Sequence, residues 1–91
     1  MELMHIDKSP RKYRAFPVHQ HDFWEITINL FGSGTATIDG QEYSFREGTI
    51  FCLAPGIAHG KVAEHGFMDG SLMLRNFVPF GSSDIYHFED D

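Results

Sequence analysis

Cysteine, proline and basic residues are scarce in this chain, and long apolar runs are missing from it. Cys52 is the only cysteine among 91 residues. That excludes an intrachain disulfide and a thiolate zinc knuckle, and it fits a reducing compartment, so a cytoplasmic location is expected. The longest apolar run, Ile50 to Ala54, is five residues, far below the roughly 20 that a membrane-spanning helix requires. The first ten residues hold no apolar stretch after a basic start, so they do not read as a secretory signal. Lysine and arginine number 7 against 13 Asp and Glu, a formal net charge of −6. An acidic domain has few cations with which to neutralise a phosphate backbone, so this chain by itself is not expected to bind nucleic acid.

What is present is enough for one folded domain spanning residues 1–91. With 42% hydrophobic and 22% charged residues, the chain has the apolar surface to offset its conformational entropy. The 9 glycines and 4 prolines are spread along it. They cut it into short segments rich in Phe, Ile, Thr and Tyr, with no helical period longer than a turn or two. The expected strands are Phe23 to Phe31, Thr35 to Ile38, Gln41 to Phe45, Thr49 to Leu53, His59 to Ala63, Ser71 to Val78 and Ile85 to Phe88. Asp39-Gly40 is a two-residue hairpin signal between two of them. Residues 1–12 read as a lead-in segment. The pattern predicts an all-β sandwich or small barrel.

The chemistry is concentrated in His19-Gln20-His21 and Glu25. Strand side chains alternate with a period of two, so on one continuous strand positions 19, 21 and 25 share a face. Imidazole and carboxylate together suit a borderline divalent ion such as Zn, Ni, Mn or Fe, and His59, just after Pro55-Gly56, is placed to add a fourth ligand. The same alternation would also serve a strand that turns its polar face to solvent. If instead the histidines face inward, Trp24, Ile26, Ile28 and Leu30 face outward and need a cover, from a second copy in a homodimer or from helices outside this chain. Arg14 and Arg75 are further candidates to clamp a ligand, and Phe23 to stack on one. His5, His65 and His87 read as surface residues.

These residues resemble the cupin superfamily. His19-x-His21-x3-Glu25-x6-Gly32 matches the first cupin motif at every spacing. Gly48-x5-Ala54-x-Gly56-x2-His59 keeps the glycines and the histidine of the second motif, with its proline moved one place to Pro55 and with Ala63 where asparagine is frequent. Tyr13 stands where a glycine often opens the first motif, so both motifs lie within residues 13–63. Within the superfamily, Phe23-Trp24 before Glu25, Ile38-Asp39-Gly40 and the run from Gly48 to Gly56 are similar to the sensor domain of AraC-type transcriptional regulators.

That resemblance implies a cupin-type double-stranded β-helix, a small jelly-roll barrel, which binds a small-molecule effector, often a sugar. It implies a regulator whose DNA is read by a helix-turn-helix part, and no such pattern occurs in these residues. His19, His21, Glu25 and His59 would then hold a divalent metal or, with Phe23, Arg14 and Arg75, contact the effector directly. The alternative function for the same four residues is a stand-alone metal-dependent cupin enzyme of isomerase or dioxygenase type.

Overall fold

The computed structural model describes residues 2–8, 13–77, 81 and 83–89, with the side chains of residues 5–8, 13, 14 and 16 outside the description. Eight strands account for most of them: β1 (Glu2–Lys8), β2 (Tyr13–His19), β3 (Trp24–Phe31), β4 (Gly34–Ile38), β5 (Gln41–Phe45), β6 (Ile50–Leu53), β7 (His59–Arg75) and β8 (Ile85–Phe88). No helix occurs among the described residues. The lead-in segment contributes a strand, β1, which the composition of residues 2–8 had not marked. The two expected strands at 59–63 and 71–78 are instead parts of the single 17-residue β7, and Val78 lies outside the described residues.

β7 is the spine of the molecule. Its first part pairs antiparallel with β2 and β4, through His19↔His59, Ile38↔His59 and Thr35↔Val62. Its second part pairs antiparallel with β1 and β3, through Lys8↔Gly70, Asn29↔Asp69 and Trp24↔Leu74. β6 then lies against β3 and β8 against β6, while β5 closes the hairpin with β4. Between its two parts β7 turns a corner, and β3 and β4 turn alongside it. Gly32 and Gly66 sit there with φ of +88° each, a conformation cheap only for glycine. A Cβ on Gly32 would overlap the Gly66 carbonyl oxygen, so the two backbones approach as closely as atoms allow.

The hairpin reading of Asp39-Gly40 holds in detail. Both residues are left-handed, φ 51° and 79°, as a two-residue turn matched to the strand twist requires.

The core cluster is Ala36, Ile38, Phe45, Phe51, Leu53, Ala63 and Phe67, with Tyr43, Ile57 and Ile85 packed on it. Strand β3 inverts the usual amphipathic order. Glu25, Thr27 and Asn29 are buried, whereas Ile28 and Phe31 are 39% and 40% exposed. The polar face of this strand therefore looks into the barrel, which overturns the solvent-facing alternative. Trp24, Ile26 and Leu30 on the other face are only partly buried.

Candidate functional site

His19, His21, Glu25 and His59 come together, though not from one strand as their parity suggested. His19 ends β2, His21 lies in the link between β2 and β3, and Glu25 is the second residue of β3. The chain bends at Asp22-Phe23 as it passes from β2 to β3. A bend breaks the period-two rule, so the three side chains project from three different backbone settings. His59 starts β7 directly opposite His19. The Pro55-Gly56 turn before it is tied to the first motif, because the Gly56 amide donates to the His21 carbonyl at 2.8 Å.

The ring nitrogens of His19, His21 and His59 lie within 4.8 Å of one another. Their centroids are 4.5 Å apart for His19–His59 and 5.1 Å for His21–His59. Each ring is oriented by a backbone carbonyl two residues away. His19 Nδ1 bonds Pro17 O at 2.9 Å, His21 Nδ1 bonds Phe23 O at 3.2 Å, and His59 Nδ1 bonds Ile57 O at 2.9 Å. A carbonyl only accepts, so each Nδ1 is the donor and Nε2 carries the lone pair in the neutral ring. Phe23 lies parallel on His21, centroids 4.0 Å apart and planes 1° from each other, and braces that imidazole.

One carboxylate oxygen faces two of these Nε2 atoms. Glu25 Oε1 is 3.0 Å from His59 Nε2 and 3.3 Å from His21 Nε2. Lone pair against lone pair is repulsive, so a proton, on an imidazole or on the carboxyl, or a bound cation has to lie between them. Burial by itself would raise the Glu25 carboxyl, but the hydrogen bond from His59 and the charges of His59 and His21 outweigh it and hold it below the usual carboxylate value. Burial would likewise lower His59, and the hydrogen bonds to Glu25 and to the Ile57 carbonyl outweigh it, so its imidazole stays protonated to higher pH than usual. The donor set, three lone-pair nitrogens with second-nitrogen hydrogen bonds and one carboxylate oxygen, fits a borderline divalent cation.

The remaining sequence candidates are placed differently. Arg75 is exposed at the end of β7, beyond the Trp24–Leu74 pair. The Arg14 side chain lies outside the described residues. His65 and His87 are exposed, as expected, whereas the side chain of His5 lies outside the described residues. His87 also stacks on Phe51 at 4.7 Å and bonds Glu89 at 3.0 Å. A surface groove at the corner, lined by Phe31, Val62, Glu64, His65 and neighbouring glycines, contains none of the four convergent residues.

Sequence reasoning missed a second polar group inside the barrel. Lys61 Nζ bonds both carboxylate oxygens of Asp69, at 2.8 and 3.0 Å, with the two side chains 11% and 19% exposed. The signal for Lys61 was present: it stands two residues after His59 on one strand and so shares its face. Nothing in the sequence pointed to Asp69.

Comparison with known proteins identifies the family and the fold. The HTH-type transcriptional activator RhaS of Enterobacter sp. (strain 638) is 36% identical over 74 residues, covering 81% of this chain and 24% of that protein. The chain thus spans about a quarter of the length of that relative. Among solved structures, an RmlC-like cupin from Shewanella frigidimarina superposes with a TM-score of 0.69 at 25% identity, over 79% of this chain and 65% of that one. A cupin protein from Bacteroides fragilis does so with a TM-score of 0.66 at 24% identity, over 86% and 69%. The model of the AraC-like ligand binding domain matches residues 6–70. This all-β cupin barrel, with its imidazoles and carboxylate turned inward, belongs to the family of AraC-like ligand binding domains, the sensing domains of AraC-type regulators.

Proposed function

We propose that the barrel binds a small polar effector at the cluster of His19, His21, Glu25 and His59, and that this binding biases a longer transcriptional regulator in the cytoplasm. The observation that carries the reading is the convergence of three oriented imidazoles, two of which, His21 and His59, meet the buried Glu25 carboxylate. Such a cluster costs desolvation that an apolar interior would not, and it presents convergent polar groups of the kind a ligand pocket uses. Phe23 supports His21, and Arg75 stands at the rim of the same sheet end. In this reading DNA is contacted by parts of the regulator outside these residues, and a second copy or a further segment covers the outer apolar face of β3.

The four residues also fit a resident divalent ion, Zn, Ni, Mn or Fe. When bound, it would supply a Lewis acid able to polarise an effector oxygen. The test is calorimetric titration of the purified chain with a panel of neutral and charged small polar molecules, before and after EDTA, alongside elemental analysis. Sensing predicts binding without turnover, which falls at least tenfold in His21→Ala. Turnover that requires a metal would move the chain to the metal-dependent cupin enzymes. Failure of every panel member to bind would remove the pocket.

A further inference from the structure

Strand β8 stands at the end of its sheet and, among the described residues, is paired only with β6, through Ile50↔Phe88, Phe51↔His87, Cys52↔Tyr86 and Leu53↔Ile85. Ile85 packs on the core cluster, whereas His87 and Phe88 are exposed. A short edge strand that buries so little surface is held weakly by its ladder. Side chains clasp its far end instead. Glu89 Oε1 is 3.0 Å from His87 Nε2 and accepts from Thr49 Oγ1 at 3.4 Å, while Glu89 Oε2 is 3.3 Å from Arg46 Nε. Thr49 is fully buried, and its Oγ1 accepts from the Arg46 amide at 3.0 Å, so the clasp is anchored in the link between β5 and β6. The near end is tied to the histidine cluster. The Ala54 amide donates to the Asp84 carbonyl at 2.8 Å, the Ile57 amide to the Ala54 carbonyl at 3.3 Å, and His59 Nδ1 to the Ile57 carbonyl at 2.9 Å. These hydrogen bonds run through the peptide groups of one turn, from the His59 ring to the start of β8.

We infer that β8 is a strap that opens as a unit while the rest of the barrel stays folded, held at one end by the Glu89 clasp and at the other by the turn that orients His59. Opening breaks the pairing with β6 and the clasp, and leaves the pairing among β3, β4, β6 and β7 intact. Cys52 reports the event. Phe51 and Leu53 lie in the core cluster, so strand alternation turns Cys52 to the outer face, where it is 7% exposed with Ile26 opposite it on one side and Tyr86 on the other. Lifting β8 takes Tyr86 away and bares the thiol. Hydrogen bonds in a chain polarise one another, and these share one turn, so whatever fixes the His59 ring also steadies the anchor at Asp84. The strap itself needs no ligand. Under the ligand reading of the cluster, a bound molecule tightens β8, and a loosened β8 weakens that molecule by the same factor.

The test uses the 91-residue chain without ligand, followed by amide hydrogen exchange and by the rate at which an aromatic disulfide reagent labels Cys52. In the unaltered chain the β8 amides are expected to exchange roughly tenfold or more faster than those of Ile26 and Ile28, which lie between β6 and β7. Equal exchange would mean that β8 opens only with the whole barrel, and would overturn the strap. Glu89→Ala removes every contact of the clasp and is expected to speed Cys52 labelling about threefold, the scale of an exposed ion pair, with β3 exchange unchanged. Unchanged labelling would overturn the clasp. At the other end, His59→Gln keeps a polar group toward Glu25 and loses the donor to Ile57, whereas the shorter His59→Asn keeps that donor and loses the reach to Glu25. Labelling about threefold faster in the Gln variant than in the Asn variant is expected on the same scale, and equal rates would overturn the tie to the cluster. The exchange comparison comes from the unaltered chain, so it decides the strap even if a variant fails to fold. Failure of any of these leaves the ligand reading of the cluster standing, because no ligand enters the test.

Discussion

A single carboxylate organises the chemistry at the scale of residues. Glu25 is 7% exposed and shares one oxygen between His21 and His59. Its lowered pKa means that its stabilisation is whole above the ordinary value of 4.5 and is lost as pH falls through the depressed one. The raised pKa of His59 works in the opposite sense: its contribution is whole below 6.5 and is lost as pH rises through the elevated value. The pair should therefore stabilise the metal-free barrel most between pH 4.5 and 6.5, and melting temperatures measured across that range should fall on either side of it. Glu25→Gln should flatten this dependence and cost about 1–3 kcal/mol at pH 5.5, because it leaves the imidazoles without their counter-charge. A cation at the same point competes with the proton, so any divalent-ion affinity should rise with pH.

Among the elements, the corner sets the limits. Gly32 combines a φ of +88° with a backbone approach that leaves no room for a Cβ. Gly40, in the hairpin, has a φ of +79° and open space around it. Gly40→Ala should thus cost only about 1–2 kcal/mol, the price of a left-handed alanine. Gly32→Ala should cost more, about 3 kcal/mol or above, since the β3–β4 link must also move away from β7. Urea titrations of the two variants check the order, and equal losses would mean that the corner gives way. The hairpin at Asp39-Gly40 was legible because its turn chemistry is local. The length of β7 was not, because Gly66 looks like a strand breaker until β3 and β4 are seen to bend with it.

The whole molecule has its polar residues on the inner face of β3 and apolar ones on the outer. Leu3, Ile28, Leu72 and Phe88 are 36–51% exposed on strands β1, β3, β7 and β8, all on the sheet built around β3. Ile28→Ser should change the stability of this chain by less than about 1 kcal/mol, whereas Phe67→Ala, in the core, should cost about 3–5 kcal/mol. Denaturant midpoints distinguish these outcomes, and a large loss at Ile28 would place that side chain in a packed interior. With a net charge of −6 the chain has few cations to set against phosphates, so it should show no measurable affinity for duplex DNA at physiological salt. Retention of a labelled DNA fragment by the 91 residues in a gel-shift assay would contradict this.

The strands β3 to β6 and β8, the two-residue hairpin and the candidacy of His19, His21, Glu25 and His59 were legible in the sequence alone, because turn chemistry and motif spacing are local properties of the chain, whereas β1, β2 and the length of β7 were not. Which face of β3 is buried was left open, since a period of two separates the faces without saying which one meets the core. The tertiary structure decided it by laying the other sheet over Glu25, Thr27 and Asn29. It also decided that His19 and His21 belong to different backbone settings, because the bend at Asp22-Phe23 arises from the passage between sheets. The meeting of Lys61 with Asp69 was decided there as well. Two residues eight apart on a strand touch only when the strand is bent, and β7 passes at this corner from its pairing with β2 and β4 to its pairing with β1 and β3.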